Sequence, residues 1–135
     1  MKILLAGDSK LSWNVINELL DKQHRITVIN TDMAYCQQLA DQYEEIAILN
    51  GDSTDLITLE ETNMKKFDMV IAMSLYDSEN FVICELCKKI FNIHNTAAII
   101  NCPRNTDILR KLDVDTIIDT NAFILSFISY STFPA

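Results

Sequence analysis

Four short clusters of small, hydroxyl-bearing and amide residues stand directly after apolar runs. The first is Gly7-Asp8-Ser9-Lys10-Leu11-Ser12, which follows the run Lys2–Ala6. It stands where a dinucleotide-binding fold carries G-x-G-x-x-G, whose glycines allow a tight turn and a close approach of phosphate to backbone amides. Only the first glycine is present, but Gly7 still permits the turn, and Lys10 adds a cation. The cluster predicts an anion site at a helix N-terminus, with a plain helix start as the alternative.

The second cluster is Asn30, Thr31 and Asp32, which follows Ile29. A dinucleotide fold uses an acid at this position to bind the ribose hydroxyls. Asn30 can hydrogen-bond a ribose without charge. Asp32 is the nearest carboxylate, but it is also well placed to cap the next helix. These residues therefore leave open the choice between NAD and a shorter or phosphorylated nucleotide.

The third cluster, Asn50-Gly51-Asp52-Ser53-Thr54-Asp55, contains the second of the two glycines in the chain. One of Ser53, Thr54 and Asp55 is expected to cap the following helix. Asp52 is then left without a structural duty, and we expect it to accept a hydrogen bond from an adenine amino group.

The fourth cluster leads into the longest predicted helix. Ala72 and Met73 stand at the end of an apolar run, and Asn80 follows near the helix start, so they are candidate ligand contacts. Cys84 and Cys87 lie on one face of the predicted helix, but the sequence has no second Cys or His pair that would complete a metal site. We interpret them as core thiols and predict no metal site. No histidine accompanies a nucleophile elbow, so we predict no catalytic residue.

The elements that must position these clusters alternate along the chain. Six apolar runs lack the polar alternation of half-exposed strands and indicate parallel strands buried on both faces. The connections between them predict a Rossmann-like, doubly wound α/β sheet of six mostly parallel strands, with helices on both faces and ligands at its carboxyl edge. The runs are Lys2–Ala6, Ile26–Ile29, Ile46–Leu49, Met69–Ala72, Ala97–Ile100 and Thr116–Ile118, and the helical stretches are Ser9–Lys22, Asp32–Tyr43, Asp55–Asn63, Asp77–Asn92 and Asn105–Leu112.

The composition excludes several classes of function. The 135 residues suffice for one packed domain, and 49% hydrophobic against 22% charged residues excludes a disordered regulator. The formal net charge of -8 disfavours nucleic acid as a partner. No secretion signal or run of ~20 apolar residues is found, so we expect a cytoplasmic protein with reduced thiols.

The last segment, residues 121–133, is apolar on nearly every face of a helix. A helix that is hydrophobic all round is normally buried. Two outcomes are open, packing on a second subunit, which we favour, or packing on the chain's own sheet. We therefore expect a Rossmann-like domain at 1–119 and an apolar crossover or dimerisation helix at 120–135.

The order and spacing of these clusters resemble one family. The Gly7-x-Ser9 turn, Val28-Ile29-Asn30, Gly51–Asp55 and Asp77-Ser78-Glu79-Asn80 are similar to the N-terminal lobe of RCK domains, also called KTN or TrkA-N domains. Residues 105–118 resemble the closing helix and strand of that lobe. Members of this family are cytosolic regulators of potassium channels and of Trk or Ktr potassium uptake systems.

The resemblance implies a regulatory domain, not an enzyme, which binds NAD or NADH, or alternatively ATP, ADP or AMP, and gates ion transport by conformational change. It implies a homodimer or larger ring through residues 120–133 and a membrane potassium channel or transporter subunit as partner, at the inner face of the membrane. Many members continue into a C-terminal lobe, which is absent from this chain of 135 residues, either because it was removed or because the protein lacks it. The residues of the implied nucleotide site, with their loop neighbours, are Gly7, Asp8, Ser9, Lys10, Leu11, Asn30, Thr31, Asp32, Gly51, Asp52, Ser53, Thr54, Ala72, Met73 and Asn80.

Two other functions fit the same residues. One is the cofactor domain of an NAD-dependent oxidoreductase, which would need a separate substrate domain. The other is a degenerate Rossmann module that serves only in assembly and binds no ligand. The scarce loop glycines and the apolar last helix are the two features that favour the assembly module.

Overall fold

The structure, a computed structural model, describes residues 1–10 and 13–130. Strands and helices alternate throughout these residues, with short 3-10 helices at Met64–Lys66 and Pro103–Asn105. The strands are β1 Lys2–Ala6, β2 Arg25–Asn30, β3 Ala47–Asn50, β4 Met69–Ala72, β5 Thr96–Ile100 and β6 Thr116–Asp119. The helices are α1 Trp13–Asp21, α2 Met33–Gln42, α3 Leu56–Glu61, α4 Asp77–Lys89, α5 Thr106–Lys111 and α6 Thr120–Tyr130.

The strands form one sheet in the order β3-β2-β1-β4-β5-β6, and every pairing between neighbours is parallel. The predicted Rossmann-like sheet is therefore confirmed. The chain moves outward in one direction from β1 to β3 and in the other from β4 to β6. Such a reversal opens a crevice at the carboxyl ends of the two central strands, which is where doubly wound sheets bind ligands.

The sheet is covered on both faces, which explains why its strands lack polar alternation. On β1, Leu4 and Ala6 join the core that includes Leu59 and Ile83 of α3 and α4. Ile3 and Leu5 join a second core with Ile16 of α1 and Leu39 of α2. Since successive side chains of a strand point to opposite faces, both sets of positions must be apolar.

The predicted boundaries hold to within about one helical turn, with one exception. The helix predicted from Ser9 is wrong at its start, because Ser9 and Lys10 are not helical and α1 begins at Trp13. The Ser9 amide donates a hydrogen bond of 3.1 Å to the Met73 carbonyl oxygen, which holds this segment against the end of β4. The capping predictions for α2 and α3 are confirmed, since Asp32 and Asp55 each accept a hydrogen bond from a backbone amide of the first turn.

Helix α6 leaves the sheet with its apolar side chains exposed. Ile124, Leu125, Phe127 and Ile128 are between 49% and 64% exposed, so the alternative of packing on the chain's own sheet is wrong for these residues. Residues 131–133 of the predicted helix lie outside the described residues. Among those described, no helix combines the length and apolar character that crossing a membrane requires.

Candidate functional site

The four predicted clusters meet at the carboxyl edge of the sheet. The Gly7 amide donates to the Ile29 carbonyl at 3.3 Å, and the Gly51 amide donates to the Asn30 carbonyl at 3.1 Å. The Met73 amide donates to the Ala6 carbonyl at 2.7 Å, which brings the end of β4 to the same place. The loops after β1, β2, β3 and β4 thus surround the crevice where the strand order reverses.

Gly7 makes the tight turn that its position predicts. Its φ is +118°, in a region that side chains rarely adopt, and an added Cβ would lie 2.4 Å from the Ser74 amide nitrogen. The close approach of the first loop to the end of β4 therefore requires glycine.

Four side chains join the first loop to the second, and we call them the loop clasp: Asp8, Lys10, Thr31 and Asp32. The Thr31 amide donates to Asp8 Oδ1 at 2.9 Å, and the Thr31 hydroxyl donates to the same carboxylate. Lys10 Nζ lies 2.8 Å from Asp32 Oδ2. Hydrogen bonding within this pair raises the pKa of Lys10 and lowers the pKa of Asp32. The cation predicted for an anionic ligand is therefore already paired.

The space beneath the loop clasp is small and mostly apolar. A cavity of about 10 Å³ lies there, lined by residues that include Leu5, Ser9, Ile16 and Tyr35. One water molecule would nearly fill it, because a cavity needs about 10–15 Å³ to hold a water. The cavity is therefore too small for a phosphate group in this arrangement of the loops.

Asn30 links the loops from within the fold. It is 1% exposed. Its Nδ2 donates to the Gly7 carbonyl at 3.3 Å, and its Oδ1 accepts from the Asp32 amide at 2.8 Å. The amide is thus engaged with backbone groups, whereas the prediction was a bond to a ribose.

Asn50 is a loop-positioning residue to which the sequence analysis assigned no role. Its Nδ2 donates to the carbonyls of Asn30 and Thr31 at 3.1 and 2.9 Å. Asn30 and Asn50 are paired in register at the ends of neighbouring strands. Two asparagines at the ends of consecutive predicted strands were the signal that could have revealed this contact.

In the third loop, Asp52 has a structural role, and the buried Ser53 hydroxyl has no partner among the described residues. The expectation that Asp52 has no structural duty is wrong, because Asp52 Oδ1 accepts hydrogen bonds from the Thr54 amide at 2.9 Å and the Thr54 hydroxyl at 2.7 Å. Ser53 is only 4% exposed, and its Oγ forms no hydrogen bond with any described residue. Buried hydroxyls normally have a partner, so Ser53 is the strongest candidate ligand contact in this loop.

The predicted contacts after β4 lie inside the fold. Ala72 and Met73 are buried. Asn80 is also buried, and its Oδ1 accepts from the Ser74 amide at 2.6 Å. Its Nδ2 donates to the carbonyls of Ser74 and Ile99 at 3.0 and 2.8 Å. Every polar group of the Asn80 side chain is therefore used to join the β4 loop to β5. Leu11 lies outside the described residues.

Asp77, the first residue of α4, holds the neighbouring loop in place. Its carboxylate accepts hydrogen bonds from the Asn101 amide at 2.7 Å, the Cys102 amide at 2.8 Å and Asn105 Nδ2 at 2.8 Å. Burial opposes ionisation of this carboxyl, but the hydrogen bonds outweigh burial and lower its pKa. This role of Asp77 was not predicted from the sequence, although an acid in the first turn of a predicted helix was a signal for it.

The cysteines of α4 are core residues, as predicted. Cys84 and Cys87 are buried free thiols, and burial raises the pKa of each to about 12. Among residues 1–10 and 13–130, no group of three or more His, Cys, Asp and Glu side chains could hold a metal ion.

The family model of the TrkA-N domain matches residues 3–120. The chain belongs to the TrkA-N family. The resemblance to this family stated from the loop residues is thus confirmed. The match covers all six strands and the four loops that form the candidate site of this TrkA-N domain.

Its relatives include proteins of potassium uptake systems. The chain is 30% identical over 129 residues to "Trk system potassium uptake protein TrkA" of Mycobacterium tuberculosis, an alignment that covers 95% of this chain and 58% of the relative. A TrkA homolog of Methanothermobacter thermautotrophicus is 25% identical over 118 residues, which cover 87% of this chain and 54% of the homolog. The TrkA-N domain therefore spans little more than half the length of these relatives.

Solved structures share the fold at low sequence identity. The TrkA-N domain of inner membrane protein ybaL from Escherichia coli has a TM-score of 0.82 at 11% identity and covers 97% of this chain and 96% of its own. The GsuK channel bound to NAD has a TM-score of 0.73 at 19% identity, with 87% of this chain and 21% of the channel chain covered. GsuK has also been solved bound to ADP.

Proposed function

We propose that this TrkA-N domain is a regulatory domain of a Trk-type potassium uptake system or of a potassium channel. An adenine nucleotide binds at the carboxyl edge of its sheet and shifts an equilibrium between conformations, and no reaction is catalysed. Family membership and the relatives named TrkA support this assignment. The domain then acts in the cytoplasm, at the inner face of the membrane, through a membrane-embedded transport subunit.

The orphaned Ser53 hydroxyl carries the nucleotide proposal. It is buried at the carboxyl edge without a hydrogen-bond partner among the described residues, and a ligand would supply one. In this proposal Asp52 and Ser53 contact the adenosine part, and Gly7, Ser9 and Lys10 contact the phosphates. The neighbour GsuK, solved with NAD and with ADP, supports an adenine nucleotide as the class of ligand.

The loop clasp supplies the conformational change. In this proposal, phosphates at the Gly7 turn displace Lys10 and Asp8 from their partners on the second loop, since the cavity beside the turn is only about 10 Å³. Binding therefore selects an open arrangement of the first loop. A ligand can shift such an equilibrium only by its difference in affinity for the two states.

We further propose that α6 carries the change to a second copy of the domain. This assigns the Rossmann-like domain to residues 1–119 and the dimerisation helix to 120–135. Exposed Phe127 and Leu125 would be covered by the same helix of the partner, in a homodimer or a larger ring.

The test is the melting temperature with NAD, NADH, ATP, ADP and AMP, each added separately. A ligand at a hundred times its dissociation constant stabilises by roughly 2.7 kcal/mol, so one nucleotide should raise the melting temperature by several degrees. Ser53→Ala should clearly reduce that rise, because the loss of one hydrogen bond of about 1 kcal/mol weakens binding about fivefold. It should not lower the melting temperature of the free protein, since it removes an unsatisfied hydroxyl. Ser78→Ala, on exposed α4 surface, is the control and should keep the rise. No rise with any nucleotide would contradict the proposal.

A second candidate function is an assembly module without ligand. The closed loop clasp and the inward bonds of Asn30 favour it. It predicts unchanged melting with all five nucleotides and an intact subunit contact through α6.

A further inference from the structure

A second cleft opens at the opposite edge of the sheet, where the strands begin. It has a volume of about 460 Å³. The first residues of β1, β2 and β3 line it together with the end of α1 and the residues around the 3-10 helix Met64–Lys66. This size falls in the range of small-molecule sites, roughly 300–1,000 Å³. The candidate nucleotide site lies at the other ends of the same strands, so the two places are independent.

Three cations surround this cleft, which we call the amino-edge cleft. Lys2, Arg25 and Lys66 line it, with Glu45 as its single lining carboxylate. None of the three cations belongs to an ion pair within residues 1–10 and 13–130. In a chain with 19 acids and a net charge of -8, three unpaired cations against Glu45 and the neighbouring Asp68 leave a small local excess of positive charge. Such an excess attracts anions to the cleft.

The hydrogen-bonding groups of the amino-edge cleft are mainly donors. The carbonyls of Leu19 and Leu20 at the end of α1 are capped by the amides of His24 and Gln23 at 3.1 and 2.9 Å. Asp68, next to the cleft, accepts from the Lys2 amide at 2.8 Å. These acceptors are already used, whereas the ammonium and guanidinium donors are not paired with carboxylates.

The wall of the cleft is partly apolar, although Ile26 and Phe67 are nearly buried. Leu20, Ile26 and Phe67 line it, and Lys66 Nζ lies 5.1 Å from the centre of the Phe67 ring. An inorganic anion would use the cations but leave this apolar surface wet. We propose that the amino-edge cleft binds a small organic anion, in which a compact apolar or aromatic body carries a phosphate or carboxylate group.

The test is a titration of the whole chain with phenyl phosphate, followed by backbone amide shifts in two-dimensional NMR. Saturable shifts are expected at Arg25, Ile26 and Phe67, and none at Gly7 and Gly51. Inorganic phosphate should bind at least about tenfold more weakly, because it lacks the ring that covers the apolar wall. Shifts confined to the Gly7 and Gly51 loops, or equal affinities for the two probes, would overturn the proposal.

Matched variants test the role of the cations. The triple variant Lys2→Gln, Arg25→Gln, Lys66→Gln should weaken phenyl phosphate binding at least about tenfold. The control triple Lys22→Gln, Lys65→Gln, Lys89→Gln removes the same charge from exposed positions that do not line the cleft, and should bind like the original chain. Equal weakening in both triples would overturn the site. If the first triple variant fails to fold, the amide shifts of the unaltered chain with phenyl phosphate still test whether the amino-edge cleft binds the ligand.

Discussion

At the scale of single residues, Gly7 is where a substitution should harm the fold most. Gly7→Ala places a Cβ 2.4 Å from the Ser74 amide nitrogen at a φ of +118°. The Ser74 nitrogen is a backbone atom and cannot move aside as the end of a flexible side chain could. We expect the free energy of unfolding to fall by about 2–4 kcal/mol. Gly51→Ala is the control, since its Cβ would meet side-chain atoms alone, the nearest being Thr58 Cγ2 at 3.0 Å, and it should cost less than about 1 kcal/mol. Chemical denaturation measures the free energy of unfolding of both variants. Equal losses of stability would contradict the requirement for glycine at position 7.

Asp8 tests whether the loop clasp opposes nucleotide binding. Its carboxylate holds Thr31 through the amide at 2.9 Å and the hydroxyl. Asp8→Asn removes a negative charge from the place proposed for phosphates and weakens the contact between the loops. ATP affinity, measured by calorimetry, should therefore rise by about threefold to tenfold. Asp41→Asn on exposed α2 surface removes one charge elsewhere and should change affinity much less. Weaker ATP binding by Asp8→Asn would instead mean that Asp8 contacts the ligand.

Asp77 makes the stability depend on pH at the acidic end. Burial opposes its ionisation, but hydrogen bonds from Asn101, Asn105 and Cys102 lower its pKa below the unfolded value of about 3.9. The stability from these bonds is complete above pH ~4 and is lost as the pH falls through the folded pKa. Asp77→Asn should therefore be less stable than the original chain at pH 7, with a deficit that shrinks below pH ~4. Denaturation at several pH values checks this, and a constant deficit would contradict it.

The residue types indicated the loops but not the direction of every side chain. Gly7 could be placed in a tight turn because only glycine suits that backbone. Asn30 and Asn80 could not be assigned, because an amide bonds a ribose or a backbone carbonyl equally well. Only the packing of the neighbouring loops decides between these partners, and here both side chains are buried with backbone partners.

At the scale of elements, buried strands were the most predictable part of the molecule. β1 and β4 begin and end as predicted because uninterrupted apolar runs fit only strands covered on both faces. The start of α1 was not predictable, since the bond from the Ser9 amide to Met73 depends on a strand more than sixty residues away in sequence.

We predict that helix α6 forms the contact between subunits. Phe127 is 64% exposed and lies among other exposed apolar residues of the helix. Phe127→Asp should therefore halve the mass in solution of a dimer, as measured by light scattering. Ile57→Asp is a matched control, because Ile57 on α3 is 63% exposed and lies outside α6. It should leave the mass unchanged. An unaltered mass after Phe127→Asp would exclude α6 as the subunit contact.

At the scale of the whole molecule, the two edges of the sheet differ in charge. Lys10 is accompanied by Asp8, Asp32, Asp52 and Asp55 in the loops at the carboxyl edge, whereas the amino-edge cleft has three cations and one carboxylate. The net charge of -8 conceals this difference, because it sums over both edges. Which charges share an edge follows from the common direction of the parallel strands and could not be read from composition.

This asymmetry predicts opposite effects of salt on the two ligands. Raising the ionic strength from about 0.01 to 0.1 M shortens the Debye length from about 30 to 10 Å. Screening should reduce the repulsion between ATP and the carboxylates around Lys10, so ATP should bind more tightly. It should also reduce the attraction between phenyl phosphate and the cations of the amino-edge cleft, so that ligand should bind more weakly. Calorimetry at both ionic strengths measures the two trends.

AMP carries less charge than ATP and should respond less if repulsion is the cause. Weaker ATP binding at higher salt would contradict this prediction, because it would mean that attraction to the released Lys10 outweighs the repulsion from the surrounding carboxylates.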